Sequence, residues 1–156
     1  DMGFQVAAWT RTPRDIERIE NFHGRGGFAP FLARSEIILN LLPVTPQTTD
    51  ILDAEAFATL PQGAAVINLG RGEHMVDADL IAALNSGHLS AATLDVYRTE
   101  PLPADNPLWH HPGITLMPHC SRKILPVGIV SQLADGIRKT LAGEMPVNSV
   151  DRTAGY

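Results

Sequence analysis

Three residues stand where an anion and a proton could both be handled. Arg71 lies between Gly70 and Gly72, directly after the apolar run 64–69. Glu100 follows the run 91–96 by way of Tyr97-Arg98-Thr99, and His119 follows the run 114–117 and Pro118. A guanidinium grips a carboxylate through two parallel hydrogen bonds. An imidazole gives or takes a proton near neutral pH, and a carboxylate beside it raises its pKa and fixes its tautomer. A carboxylate anchor joined to a proton donor suggests reduction of a 2-keto acid. Each residue alone has a plainer reading: Arg71 as a surface ion-pair partner, Glu100 as a solvated loop carboxylate, His119 as a helix cap or packing residue. Their placement after three successive apolar runs is what argues for chemistry.

That placement matters only if the runs are strands. Five runs, 4–9, 36–42, 64–69, 91–96 and 114–117, are apolar without clean polar alternation. Such runs predict strands buried on both faces, as in a parallel sheet. Between them the pattern turns helical. Residues 54–60 follow Asp53 as a candidate N-cap and stop at Pro61-Gln62-Gly63. Residues 77–87 begin with acidic residues and end on Gly87, and a last helix is predicted from about 125 to 142, with Gly143 as its stop. Ile129, Val130, Leu133, Ile137 and Leu141 fall near helical spacing in it. The Pro-rich stretch 100–107 reads as a loop between the last two strands. Strand and helix in alternation predict an α/β fold, a doubly wound parallel sheet that binds ligands beyond the carboxyl ends of its strands.

Composition narrows the function classes. The chain has 156 residues, is 44% hydrophobic and 19% charged, and has a net charge of −5. This is a globular composition, with no run of the roughly 18 apolar residues that a membrane helix needs. The acidic balance and the lack of a Lys/Arg cluster argue against nucleic acid and anionic membranes as partners. One cysteine, Cys120, excludes an intrachain disulfide framework and a Cys-rich zinc site, and fits a reducing, cytoplasmic compartment. No metal site is expected.

Longer motifs carry a resemblance. Asn68-Leu69-Gly70-Arg71-Gly72, the stretch Asp95-Val96-Tyr97-Arg98-Thr99-Glu100-Pro101-Leu102-Pro103, and Pro107-Leu108-Trp109-His110-His111-Pro112 leading to Met117-Pro118-His119 occur in that order. With Leu41-Leu42-Pro43-Val44-Thr45-Pro46-Gln47-Thr48-Thr49, they make the chain resemble the D-2-hydroxyacid dehydrogenases. Trp9-Thr10-Arg11-Thr12 and the ending 150–156 place it nearest the bacterial glyoxylate/hydroxypyruvate reductase A branch, as its C-terminal half. The resemblance implies a Rossmann-like NAD(P)-binding domain that reduces glyoxylate and hydroxypyruvate to glycolate and D-glycerate. It implies that Arg71 holds the substrate carboxylate and keto oxygen, that His119 protonates that oxygen, and that Glu100 keeps His119 protonated. Asp95 matches a contact to the nicotinamide carboxamide. Leu42, Pro43, Thr49, Leu69, Gly70 and Arg71 match positions around the cofactor. A homodimer is implied for the full-length protein.

Cofactor choice follows from charge. NAD enzymes place an acid after the second strand of the fold to bind the ribose 2′-hydroxyl. Here Thr10, Arg11 and Thr12, then Arg14, follow the run 4–9, which favours the 2′-phosphate of NADPH over NAD. The Gly-rich phosphate loop is missing, and Gly24-Arg25-Gly26-Gly27, which does not follow a strand with the required spacing, is read as a loop and not as that fingerprint. The chain is therefore expected to lack the first strand of the fold, a loss that would separate run 4–9 from run 64–69. Residues 1–121 are expected to form a partial nucleotide-binding domain, and 122–156 a C-terminal helix and tail returning toward a missing substrate domain. Alone, such a fragment is expected to be inactive. Cys120-Ser121-Arg122-Lys123 departs from the small apolar residues more frequent in the family and leaves substrate preference open. The alternatives are another D-2-hydroxyacid dehydrogenase, a noncatalytic NAD(P)-sensing interaction protein and an inactive fragment.

Overall fold

A computed structural model describes residues 3–121, 126–147 and 149–150. It comprises two compact units, Asp1–Pro118 and His119–Tyr156. The first contains six strands: β1 (Ala7–Thr10), β2 (Glu20–His23), β3 (Ile37–Asn40), β4 (Ala64–Asn68), β5 (Leu89–Leu94) and β6 (Ile114–Leu116). Its helices are α1 (Phe28–Ala33), α2 (Ala54–Thr59) and α3 (Asp77–Asn85). Every ladder is parallel, in two sheets of order β1-β2 and β3-β4-β5-β6. All five runs expected to be strands are strands, with ends that differ by at most three residues.

The sixth strand corrects the sequence reading. Glu20-Asn21-Phe22-His23 pairs only with β1, so it is an edge strand, and only its two central residues are partly buried. An edge strand needs no continuous apolar run, and this one has none. Gly24-Arg25-Gly26-Gly27 comes directly after this strand. Gly24 takes φ 63, a left-handed turn that only glycine enters freely, and a short 3₁₀ turn then leads into α1. The strand facing β1 is moreover β3, not the run 64–69. Between β1 and β3 lies a cleft of about 1070 Å³, walled by residues including Phe4, Val6 and Ala8 on one side and Ile37, Leu39 and Leu41 on the other.

Burial on both faces was expected and is not observed. Ile38, Asn40, Val66, Asn68, Ala92 and Leu94 point to one face and are buried, while Ile37 is 51% and Leu39 48% exposed on the other. Within this unit only one face carries the packing: Phe57 of α2 and Leu80 and Leu84 of α3 join the strand residues in a single core. Asp53 caps α2 as expected, its carboxylate accepting from the Ala56 amide at 2.9 Å. At the far end, His88 Nε2 lies 2.9 Å and 3.0 Å from the carbonyls of Phe57 in the last turn of α2 and of its C-cap, Leu60.

The second unit holds α4 (Pro126–Leu141). The expected start near 125, like Arg122 and Lys123, lies outside the described residues. Ile129, Val130, Leu133, Ile137 and Leu141 form an exposed apolar stripe. Gly143, at φ 77, ends the helix as predicted. No helix among the described residues is long and apolar enough to cross a membrane.

Candidate active site

The site is best built outward from two asparagines. Asn40 ends β3 and Asn68 ends β4; they stand opposite each other, both buried, with Asn40 Nδ2 donating to Asn68 Oδ1 at 2.8 Å. Beyond them the chain leaves the sheet in two loops. Asn40 Oδ1 accepts from the Leu42 amide at 3.1 Å, which turns the first loop. Asn68 Oδ1 accepts from the Gly70 amide at 3.1 Å, and its Nδ2 donates to the Arg71 carbonyl at 3.1 Å. The fully buried His74 completes the cluster, its Nδ1 3.2 Å from the Arg71 amide and 2.8 Å from Asn40 Nδ2. The Arg71 backbone is thus held at both its N–H and its C=O, while the side chain remains exposed, with Nη1 on the Gly70 carbonyl at 2.7 Å. Burial pushes the His74 pKa below the ordinary imidazole value, so the ring is neutral at physiological pH.

The next loop is pressed against this one. A Cβ on Gly72 would lie 1.9 Å from the Tyr97 carbonyl carbon and 2.1 Å from the Arg98 nitrogen, so only glycine lets the two backbones meet. Arg98 joins its carboxylate partner Asp50 and donates to the Met75 carbonyl at 3.0 Å, tying three segments together. Half-buried Asp77 has its pKa raised by desolvation, which the charge of Arg98 opposes. Glu100 is exposed and accepts from the Tyr97 amide at 2.9 Å. The Tyr97 hydroxyl donates to the Met117 carbonyl at 2.7 Å, which fixes the exit of β6. Arg71 and Glu100 therefore leave the carboxyl ends of neighbouring parallel strands. His119 lies in the second unit, exposed, with a left-handed backbone at φ 51.

Candidate cofactor residues occupy the same ends of their strands. Thr10 closes β1, its hydroxyl donating to the Thr12 carbonyl at 2.8 Å, and Arg11, Thr12 and Arg14 are exposed beyond it. Asn21 shapes this loop from β2, accepting from the Arg14 amide at 2.8 Å. The Pro43 carbonyl accepts from the Thr48 hydroxyl at 2.7 Å, and Thr49 donates to the Thr45 carbonyl at 3.0 Å. Leu69 follows β4, its amide on the Asn40 carbonyl at 3.1 Å, and Asp95 follows β5, fully buried. No group of three or more His, Cys, Asp or Glu that could hold a metal ion occurs among the described residues.

The sequence profile of the D-isomer specific 2-hydroxyacid dehydrogenase NAD binding domain matches residues 1–121. The chain belongs to this dehydrogenase family. It is 45% identical over 154 residues, 99% of its length, to the glyoxylate/hydroxypyruvate reductase A of Serratia proteamaculans, and covers 49% of that protein. The chain spans about half the length of the curated relatives it matches. Among solved structures it superposes at TM-score 0.95 and 44% identity on a D-isomer specific 2-hydroxyacid dehydrogenase from Xanthobacter autotrophicus in complex with NADPH and MES, covering 99% of this chain and 64% of that one. An NADPH-dependent glyoxylate/hydroxypyruvate reductase from Sinorhizobium meliloti in complex with NADP and sulfate follows at TM-score 0.92 and 34% identity, covering 99% and 50%.

Several residues of this dehydrogenase domain escaped the sequence reading. Asn40, Asn68 and His74 build the Arg71 loop, and Asn21 builds the Arg11 loop. The first two do leave a signal, since each interrupts an apolar run at its carboxyl end, Ile37-Ile38-Leu39-Asn40 and Ala65-Val66-Ile67-Asn68. A buried amide there needs partners, and the exit loops supply them. His74 leaves none, because a histidine beside acidic Glu73 reads as surface.

Proposed function

We propose that the protein carrying this chain is an NADPH-dependent reductase of glyoxylate and hydroxypyruvate that yields glycolate and D-glycerate. The observation that carries this reading is the Arg71 loop, an arginine on immobilised backbone at the carboxyl edge of a parallel sheet. The names of the relatives support the substrate class, and the donor set after β1 supports the cofactor. Arg11, Thr12 and Arg14 offer guanidinium and hydroxyl donors with no acid between Thr10 and Arg14, which suits a 2′-phosphate and not a bare ribose diol. Leu42, Pro43, Thr49, Leu69 and Gly70 would pack about the dinucleotide, and Asp95 would hold its carboxamide. When bound, the reduced nicotinamide supplies the hydride.

The chain's own residues do the rest. Arg71 holds the substrate carboxylate through paired charge-assisted hydrogen bonds and orients the keto carbon. His119 delivers a proton to the keto oxygen, and Glu100 keeps that imidazole charged while the oxygen gains density. Glu100 itself is oriented by the Tyr97 amide. The test is His119→Ala in the full-length protein, followed by NADPH oxidation with glyoxylate and hydroxypyruvate. Loss of a positioned general acid costs about 10²–10⁴ in turnover. NADPH binding should be retained. Undiminished turnover would remove His119 from the mechanism, and a wild-type protein inert toward both acids would remove the reductase reading.

A further inference from the structure

The Asn40–Asn68–His74 cluster has one property that the proposed mechanism does not use: every donor and acceptor role in it is dictated by a backbone partner. Asn40 Oδ1 receives the Leu42 N–H, so the other end of that amide is its nitrogen. Asn68 Nδ2 faces the Arg71 carbonyl, so its other end is oxygen. Asn40 Nδ2 then has two hydrogens and two acceptors, Asn68 Oδ1 and His74 Nδ1, each at 2.8 Å. His74 Nδ1 meets only donors, the Arg71 N–H and Asn40 Nδ2, so it carries no proton. The proton therefore sits on the buried Nε2, on the side of the Pro43 backbone.

We propose that His74 is a positioning residue for Arg71: through the Arg71 amide its Nδ1 fixes the backbone from which the guanidinium grips the substrate carboxylate. The inference rests on the proposed role of Arg71 as the carboxylate anchor. Asn68 secures the opposite side of the same residue, at the Arg71 carbonyl and the Gly70 amide. Held at one side only, the Arg71 backbone could pivot about its carbonyl. With both sides held, the guanidinium starts from one place and loses less freedom when a carboxylate arrives.

A double-mutant cycle tests this, reading the dissociation constant of oxamate, a non-reducible amide analogue of glyoxylate, from the NADPH-loaded full-length protein. Arg71→Ala should weaken oxamate by at least about 30-fold, as loss of one partner from a hydrogen-bonded charge pair does. His74→Leu, which removes the acceptor at Nδ1, should weaken it about tenfold while NADPH affinity stays within twofold. In the Arg71→Ala background the same substitution should change oxamate affinity less than twofold. His74→Asn, whose Oδ1 can stand where Nδ1 stands, should restore most of the loss. If His74→Leu does not fold, His74→Gln takes its place, being polar but carrying its acceptor farther out. Equal losses with and without Arg71, or no rescue by asparagine, would overturn the positioning role. An Arg71→Ala protein that binds oxamate normally would instead overturn the carboxylate-anchor reading.

Discussion

Replacing Gly72 with alanine adds one methyl group to the tightest point of the fold. In the present backbone that carbon would lie 1.9 Å from the Tyr97 carbonyl carbon, 2.1 Å from the Arg98 nitrogen and 2.3 Å from the Tyr97 oxygen. Ordinary carbon contacts lie at about 3.5–4.0 Å, so the two loops must part by roughly 1.5 Å. The atoms in the way are backbone, and no rotamer change relieves them. Overpacking that moves backbone should reach about 3 kcal/mol, the upper end of its usual range. For a domain of about 150–250 residues that lowers the melting temperature by about 6–12 °C. Because Gly72 follows Arg71, the displacement also shifts the guanidinium proposed to hold the substrate. A misplacement of about 1 Å can cost about 100-fold in rate. The expected Gly72→Ala protein is therefore folded, less stable, and at least about 100-fold lower in kcat/KM for glyoxylate. Denaturant melts and steady-state kinetics on the full-length protein measure both. Gly70→Ala is the comparison: its Cβ meets side-chain atoms, Asn40 Nδ2 at 2.8 Å and His74 Nδ1 at 3.1 Å, far less close than the backbone atoms at Gly72. Its stability loss should be the smaller. A Gly72→Ala protein with parental stability and activity would refute the argument that close backbone approach builds this edge of the site.

Three other perturbations follow. Asp53→Ala removes the cap that the Ala56 amide relies on and should cost about 1 kcal/mol, with Asp53→Ser recovering most of it in a thermal melt. Arg11→Ala combined with Arg14→Ala should raise KM for NADPH about tenfold and leave KM for NADH nearly unchanged, if those side chains face the 2′-phosphate. His74 gives a pH signature. Its folded pKa lies below 6.5, so on acidification the unfolded chain takes up a proton first, and stability falls as pH drops through 6.5 toward the folded value. Asp77, whose pKa is raised, contributes in the opposite sense at lower pH, its protonation favouring the fold. Urea melts of His74→Asn beside the parent isolate the imidazole: the variant should lose less stability between about pH 7 and pH 5.

The strands that carry the core were legible because their apolar residues are consecutive and their ends are marked by Pro, Gly or Asp. Helix α2 was legible down to its cap, since Asp53 stands directly before Ala54-Glu55-Ala56-Phe57 and Pro61 closes the segment. Strand β2 was not legible: an edge strand with one neighbour satisfies half its backbone groups with water and tolerates Glu20, Asn21 and His23. Strand β3 was legible as a strand, but its exposed Ile37 and Leu39 belong to the face that residues 3–118 do not cover, which no apolar run can reveal. Of the candidate site, the places of Arg71, Glu100 and His119 after β4, β5 and β6 were legible, and the chemistry proposed for them rests on those places. What holds Arg71 still was not, because three polar residues drawn from β3, β4 and the turn after it meet only in the folded sheet.

The opposed pair Asn40 and Asn68 also governs alignment. Slide β3 by one residue and Asn40 turns to the other face, the coarse error that alternating burial already penalises. A slide of two residues is subtler, since it keeps Ile38 facing inward. It would, however, place Asn40 beyond or short of Asn68, against an apolar neighbour such as Val66, with its amide buried and unpaired. Each polar group so stranded costs about 1–3 kcal/mol, whereas the apolar pairs would shift at small cost. Two apolar strands can be matched in several ways of similar energy; two strands each bearing one buried amide can be matched in one. That single match sets the Leu42 and Arg71 loops side by side, so the spacing at the edge of the site is decided by the strands beneath it.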